Sequence, residues 1–329
     1  MQRIGDDALG TDIFEELDRR RNLQVDAALV DLSGRKKTTH AGPEGALLRS
    51  LPPAMPPLGR ELTIVRIGER ARRALVRSDG AATPLPAVPG GPYYIAAGEL
   101  IWVGARLPAM HPRVVITPHA PSPGAALYFR NLPARGWAPK RLRLERDAMA
   151  AFAANLTRLC RALLEDDAPR GFGALLARDI PGFPLDHGVA RVEALAQAYR
   201  SDAPSAVHAA SVALLGFGTG LTPSGDDLAG AALLARRLLA PARTAWSRTG
   251  RALAREANAR SNTVSAALFE DLVRGRSFAP LHAIAEALAA GEHAAALLHA
   301  RELTAIGHSS GWDMFTGFVI GITGRCRAA

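Results

Sequence analysis

Hydrophobic and polar residues follow two different periods along the chain, and the period changes near Leu142. Between residues 23 and 135, apolar residues form short runs separated by turn sequences such as SGRKK, RSDG and VPGGP. These runs predict β-strands at LQVDAALVDL, ELTIVRI, RALVRS, LIWVGARL and RVVITP. Because no long helical pattern lies between them, the spacing favours a barrel- or sandwich-like arrangement over a parallel sheet.

From Leu142 onward, apolar residues recur three and four positions apart, which is the spacing of amphipathic helices. The pattern predicts roughly seven or eight helices. Candidate N-caps are Asp186, Ser201 or Asp202, Thr222 and Ser309, and candidate helix breaks are Gly275 and Gly291. The sequence therefore predicts an α+β protein with a tail or short helix at 1–22, a β-rich domain at 23–140 and an all-helical domain at 141–329.

Length and composition predict a cytoplasmic protein. The chain has 329 residues, of which 48% are hydrophobic, so it can bury a substantial core. The longest nearly apolar run, residues 314–323, is about half the length of a membrane span. The N-terminal residues mix both charge signs and do not form the apolar core of a signal peptide. Cys160 and Cys326 stand far apart, which favours a reducing compartment.

The net charge of +9 does not indicate a nucleic-acid-binding protein. Of the 40 basic residues, only Lys36, Lys37 and Lys140 are lysines, and the chain is rich in alanine, a combination typical of genome base composition. No basic stripe is interleaved with aromatic residues, as nucleic-acid recognition would favour. A basic surface would instead steer small anionic substrates toward the protein.

The stretch GFGTGLTPSGDD, residues 216–227, combines alternate glycines with a helix start. Thr222 followed by Pro223 has the form of a helix N-cap with proline at the first helical position. The N–H groups and the dipole of a helix N-terminus favour an anion, and glycines allow a ligand to approach the backbone. Glycine-rich turns also make sharp corners between packed helices, so both interpretations remain open.

A second stretch, GHSSGWDMFTGFVIG at residues 307–321, repeats the form Ser-Gly-x-Asp-apolar that is found at Ser224–Leu228. We call these two helix starts the SGxD motifs. We predict that they face each other across one cleft, with Asp227 and Asp313 as candidate catalytic residues. The candidate residues for binding the substrate or another anion are Gly218, Gly220, Thr222, Ser224, Gly225, Asp226, Asn262, Thr263, His308, Ser309, Ser310 and Gly311.

Several of these candidates have ordinary structural explanations as well. Asn262 and Thr263 stand where a helix cap is expected, and His308 has the position of a cap or of a surface residue. Trp312 is either a stacking residue for a ligand or part of the core. The nine histidines follow no metal-binding spacing, so no metal site is predicted.

The blocks LTPSGDD and SGWD, together with the hydroxyl-containing helix start near residues 263–266, resemble a bacterial family of unknown-function domains. That family includes the AllH-type subunit of oxamate carbamoyltransferase, from anaerobic allantoin breakdown. The resemblance is strong in the helical half of the chain and loose in residues 23–135. It implies a carbamoyltransferase component that works beside FdrA-like and AllG-type subunits and interconverts oxalurate plus phosphate with oxamate plus carbamoyl phosphate.

Two other functions remain open at the level of the sequence. One is a free-standing enzyme that binds nucleotide phosphate through the glycine stretch, with Asp226 or Asp227 holding Mg²⁺. The other is a regulatory or scaffold subunit without catalytic activity, in which the glycines shape an interface. No cofactor is firmly implied, and Mg²⁺ belongs only to the nucleotide-binding alternative.

Overall fold

The N-terminal part of the described chain is a seven-stranded mixed sheet that curves into a half-barrel. The computed structural model describes residues 60–140, 142, 144–145, 147–239 and 244–327. The predicted tail at 1–22 and the predicted strand at 23–32 lie outside the described residues. The strands are β1 (Arg60–Glu61), β2 (Arg66–Ile67), β3 (Ala81–Pro84), β4 (Tyr93–Ala96), β5 (Glu99–Gly104), β6 (Val114–Ile116) and β7 (Leu127–Tyr128).

The sheet order is β1-β7-β3-β4-β5-β6-β2. Strands β1 and β7 are parallel, as are β5 and β6, and the other pairs are antiparallel. The longest antiparallel pair places Tyr93 opposite Trp102, and their rings stack with centroids 5.7 Å apart. The mixed order and the curvature confirm the predicted β-rich portion.

One predicted strand, RALVRS, is wrong. Helix α1 (Glu69–Arg77) occupies this position, between β2 and β3, and its buried residues pack with residues of the sheet in one hydrophobic cluster. Its buried residues are Ala71, Ala74 and Leu75, which are spaced as on one face of a helix, while the arginines between them remain on the other face. The short apolar run looked like a strand because its first buried residue, Ala71, lies outside it.

The C-terminal part is all-helical, as predicted. Its α-helices are α2 (Ala148–Asp166), α3 (Val189–Arg200), α4 (Pro204–Val212), α5 (Ser224–Leu239), α6 (Thr244–Arg260), α7 (Thr263–Val273), α8 (Ala279–Ala290), α9 (His293–Thr304) and α10 (Ser310–Thr323). Two 3₁₀ helices, Gly171–Ala177 and Leu185–Gly188, connect α2 to α3.

The described part of the chain thus contains nine helices from Ala148 onward, where roughly seven or eight were expected. Helix α6 was not predicted, because its buried face includes Thr249 and Gly250 beside Trp246, Leu253 and Ala257. Gly291 ends α8 in a left-handed conformation, with φ of 75°, so the predicted break there is confirmed.

Helices α5 and α10 form the centre of the helical part. Every residue of α10 from Gly311 to Gly321 is buried, and so is every residue of α5 from Ser224 to Ala235. The other helices surround this pair, and two hydrophobic clusters meet on it. Because both SGxD motifs begin these central helices, the fold carries their polar side chains into the interior.

Candidate functional site

The two SGxD motifs lie against each other at the N-terminal ends of α5 and α10. Thr222 Oγ1 is 2.7 Å from Ser310 Oγ, and Ser224 Oγ is 3.4 Å from Ser309 Oγ. The predicted meeting of the two motifs is therefore confirmed, although 88 residues separate Thr222 from Ser310. Whether the resulting cluster binds a ligand remains a prediction.

Glycines on α10 allow this close approach. A Cβ atom on Gly317 would lie 2.0 Å from the carbonyl oxygen of Leu228, and one on Gly321 would lie 2.3 Å from that of Ala232. Such contacts are far below van der Waals distance, and the obstacle in each is backbone on the facing helix. Only glycine therefore allows α5 and α10 to pack at this separation.

The motif glycines, Gly225 and Gly311, also have a packing role. A Cβ atom would lie 2.0 Å from Leu214 O at Gly225 and 1.9 Å from Leu303 O at Gly311. Their N–H groups donate to Phe217 O at 2.9 Å and to Ile306 O at 3.0 Å. These two N–H groups, which were expected to face an anion, are therefore hydrogen-bonded within the protein.

The glycines before the first motif hold a turn that other residues rarely adopt. Gly216, Gly218 and Gly220 have φ of +74°, +113° and +89°. A Cβ atom on Gly218 would lie 2.8 Å from Ser224 N, whereas one on Gly220 would meet nothing within 4 Å. Helix α5 begins at Ser224, so Thr222 precedes the helix and its hydroxyl group bonds to Ser310. The stretch is thus a sharp corner, and open space lies beside Gly220.

Asp226 ties this corner to helix α7. Its Oδ1 accepts the N–H of Gly216 at 2.7 Å, and its Oδ2 accepts the hydroxyl groups of Ser261 and of Ser265, the latter at 2.6 Å. Both carboxylate oxygens are therefore used by the protein itself. We conclude that Asp226, a predicted binding residue, positions the glycine stretch.

Hydroxyl groups of both motifs lie beside Asp227 and Asp313 and favour their charged forms. Those of Ser310 and Thr222 act to lower the pKa of Asp227. Those of Ser224 and Ser309 act to lower the pKa of Asp313. Each aspartate thus interacts with hydroxyl groups from both motifs. We call these six residues the carboxyl–hydroxyl cluster: Thr222, Ser224, Asp227, Ser309, Ser310 and Asp313.

The cluster also contacts parts of the chain that the sequence did not indicate. The N–H of Phe172, in the first 3₁₀ helix, donates to Asp313 Oδ1 at 2.7 Å. Gly171 packs so closely that a Cβ there would lie 2.5 Å from the same oxygen. From the sheet, Tyr93 lies near Asp227, and burial, followed by the charge of Asp227, raises the pKa of Tyr93 to about 12.

Burial makes both carboxyl groups of the cluster weak acids. Asp313 is fully buried, and this burial raises its pKa to about 7, although the N–H group of Phe172 and the hydroxyl groups of Ser224 and Ser309 oppose the rise. Burial and then the charge of Asp313 raise the pKa of Asp227 well above its usual range. Two neighbouring buried carboxylates do not both ionise readily, so the pair holds a proton at neutral pH. Such a pair can donate or accept a proton near physiological pH.

The remaining predicted residues lie outside the cluster. Asn262 is the N-cap of α7, where it accepts the N–H groups of Val264 and Ser265 and donates to Leu221 O at 2.9 Å. Thr263 and His308 are exposed, and no described contact links them to the two carboxyl groups. The capping explanation is therefore confirmed for Asn262.

The structure decides between the two interpretations of Trp312, because this residue belongs to the core and does not stack on a ligand site. It is fully buried and packs edge-on against Phe315, with ring centroids 6.3 Å apart. Gly173 allows this packing, since a Cβ there would lie 2.8 Å from the indole ring.

A cluster of ion pairs fixes the sheet on helix α7. It consists of Arg70, Glu99, Arg113, Glu270 and Asp271. Both arginines donate to the buried Asp271, each at 2.5 Å, and Arg113 also donates to Leu100 O at 3.0 Å and to Ala267 O at 3.2 Å. Helix α7 carries Ser265, which bonds to Asp226, so these ion pairs connect the sheet to the helix that supports the glycine stretch.

Residues 214–322 match the family model of the oxamate carbamoyltransferase subunit AllH. The match confirms the family resemblance of the motifs over this segment, which contains the whole carboxyl–hydroxyl cluster. Neither the curated proteins nor the solved structures include a match to the chain. In the part of the chain that the structure describes, no helix has the length and apolar character needed to span a membrane. Nor do the described residues contain three or more His, Cys, Asp or Glu side chains grouped to hold a metal ion.

Proposed function

We propose that the protein is a subunit of a carbamoyltransferase complex, resembling oxamate carbamoyltransferase, that acts on small anionic substrates such as carbamoyl phosphate and oxamate. The observation that carries this proposal is the position of the carboxyl–hydroxyl cluster within residues 214–322, the segment that matches the AllH family. We further propose that its partners are of the FdrA-like and AllG-like type and that the complex works in the cytoplasm. The net charge of +9 supports a preference for anionic substrates, because it would steer them toward the chain.

The paired carboxyl groups suit the proton transfer of this reaction. In the direction of oxalurate formation, the amide nitrogen of oxamate forms a bond to the carbamoyl carbon. The bond from that carbon to the phosphate oxygen breaks, and phosphate leaves with the electron pair. The amide nitrogen gives up a proton, and a carboxylate accepts it. Asp313, with a pKa of about 7, is matched to this work near neutral pH.

The test is carbamoyl transfer by the assembled complex. The chain is mixed with its FdrA-like and AllG-like partners, and phosphate release from carbamoyl phosphate is measured in the presence of oxamate. We expect Asp227→Asn and Asp313→Asn each to lower kcat/KM by about 100-fold or more, the usual effect of losing a general acid or base. Circular dichroism should show both variants folded. The control is Asp166→Asn, which removes an exposed carboxylate that is paired with Arg301 and is not part of the cluster.

The outcomes separate the proposal from its alternatives. Full activity of the two partners without this chain would contradict the proposed function. Activity that needs the chain but is unchanged in both variants would indicate a scaffold subunit. A thermal-shift assay tests the third possibility, a free-standing nucleotide-binding enzyme. A ligand at 100 times its Kd stabilises the fold by about 2.7 kcal/mol, which such an assay detects. Stabilisation by ATP–Mg²⁺ alone would indicate the nucleotide-binding enzyme.

A further inference from the structure

The carboxyl–hydroxyl cluster contains two buried oxygen atoms that accept no hydrogen bond from the described residues. Oδ2 of Asp227 and Oδ2 of Asp313 have no partner within the described residues. Asp227 is 5% exposed and Asp313 is 0% exposed, so bulk water does not replace the missing bonds. Folded proteins pair nearly all such buried atoms, and an unpaired one costs about 1–3 kcal/mol. Two in one cluster indicate a position that a ligand completes.

The charge and hydrogen-bonding capacity of the cluster favour a ligand group that donates hydrogen bonds. With one proton on the pair, at least one of the two oxygens can only accept. A second anion placed here would face the remaining negative charge in a site from which water is excluded. Two of the backbone donors beside the pair are also occupied, since the N–H groups of Asp226 and Asp227 donate to Pro223 O at 2.9 and 3.2 Å.

We propose that Asp227 and Asp313 bind the –NH₂ group of a primary amide or ureido substrate, and that the pair distinguishes this group from a carboxylate. The inference rests on the proposed function and specifies which end of the substrate meets the pair. A primary amide carries two N–H donors, one for each unpaired oxygen. The same contact places the nitrogen beside the carboxyl group that would take its proton.

The surroundings of the pair leave a way in for such a group. Thr222, Ser309 and Ser310 are partly exposed, so solvent reaches the hydroxyl layer next to the carboxyl groups. A Cβ on Gly220 would meet nothing within 4 Å, so the loop before Thr222 has open space on one side. Gly171 and Phe172 pack directly against Asp313 and close the cluster there.

The experiment compares oxamate with oxalate, which has a carboxylate oxygen in place of the –NH₂ group. Binding of each to the assembled complex is measured by titration calorimetry, which needs no turnover. We expect oxamate to bind at least tenfold more tightly than oxalate, a difference of about 1.4 kcal/mol. Asp313→Asn introduces an amide donor where an acceptor stood, so this variant should lose the preference or reverse it. Asp227→Asn should act in the same direction, and Asp166→Asn should leave the preference unchanged.

Equal affinity for oxamate and oxalate in the wild-type complex would overturn the inference, and so would an unchanged preference in both site variants. Absence of binding of either compound would overturn it as well. These results are distinct from failure of the proposed function. If the complex transfers the carbamoyl group but does not distinguish the two compounds, the proposed function is supported and the inference is contradicted. If the complex prefers oxamate but transfers no carbamoyl group, the inference is supported and the proposed function is contradicted.

Discussion

Replacement of Gly317 by alanine should separate the two SGxD motifs. Alanine in place of glycine ordinarily stabilises a helix by about 1 kcal/mol. Here the new Cβ would lie 2.0 Å from Leu228 O, whereas carbon and carbonyl oxygen normally approach no closer than about 3.3 Å. Helices α5 and α10 must therefore move apart by roughly 1 Å, and overpacking of this kind costs about 1–3 kcal/mol. Because the obstacle is backbone, we expect the upper part of that range and a net loss of about 1–2 kcal/mol.

The displacement should affect activity more than stability. Asp313 lies one turn before Gly317 on α10, and a misplacement of about 1 Å at a reacting group costs on the order of 100-fold in rate. The assays are urea unfolding followed by circular dichroism and kcat/KM of the assembled complex. The matched control is Gly250→Ala in α6, where the Cβ would meet a Val273 methyl group at 2.9 Å and that side chain can move. If Gly317→Ala is as stable and as active as Gly250→Ala, the close helix approach does not hold the cluster together.

Three further predictions concern stability. The pKa of Asp313 rises on folding from 3.8 to about 7, so folding takes up a proton and the unfolding free energy falls as pH rises from about 4 to 7. Relative to Asp313→Asn, wild-type protein should lose about 4 kcal/mol across that window in urea titrations, and parallel profiles would contradict this. Arg113→Met should cost about 3 kcal/mol, because it removes a partner of the buried Asp271, and a loss below about 1 kcal/mol would refute that role. Asp226→Asn should cost about 1–3 kcal/mol, because its amide group cannot accept the three bonds that the carboxylate accepts; unchanged urea stability would contradict that role.

The helical half follows from its sequence because its information is local. The apolar spacing of VARVEALAQAYR fixes α3 at Val189–Arg200, and Gly291 ends α8 where its left-handed conformation is needed. The SGxD motifs are predictable as a pair for the same reason, since each combines a helix start with an unusual polar sequence. Because both motifs have the form Ser-Gly-x-Asp-apolar, the sequence alone predicts that they lie together.

The sheet and the contacts of the site depend on residues far apart in the chain. Arg70 and Asp271 are 201 positions apart, and nothing in either local sequence indicates the pairing. Phe172 reaches Asp313 from a 3₁₀ helix and Tyr93, on β4, is affected by the charge of Asp227, yet the local pattern at both positions is ordinary. The roles of neighbouring Asp226 and Asp227 also differ for a spatial reason, because only the first meets the serines at the start of α7.

The central claim is that both aspartates belong to one proton-holding pair, and a double-mutant cycle tests it most directly. kcat/KM for carbamoyl transfer is measured for the wild-type complex, Asp227→Asn, Asp313→Asn and the double variant. Residues that act as a unit give strongly non-additive losses. We therefore predict that the double variant loses about as much as either single variant. Losses that multiply, or single variants with wild-type kcat/KM, would show that the two carboxyl groups do not work together.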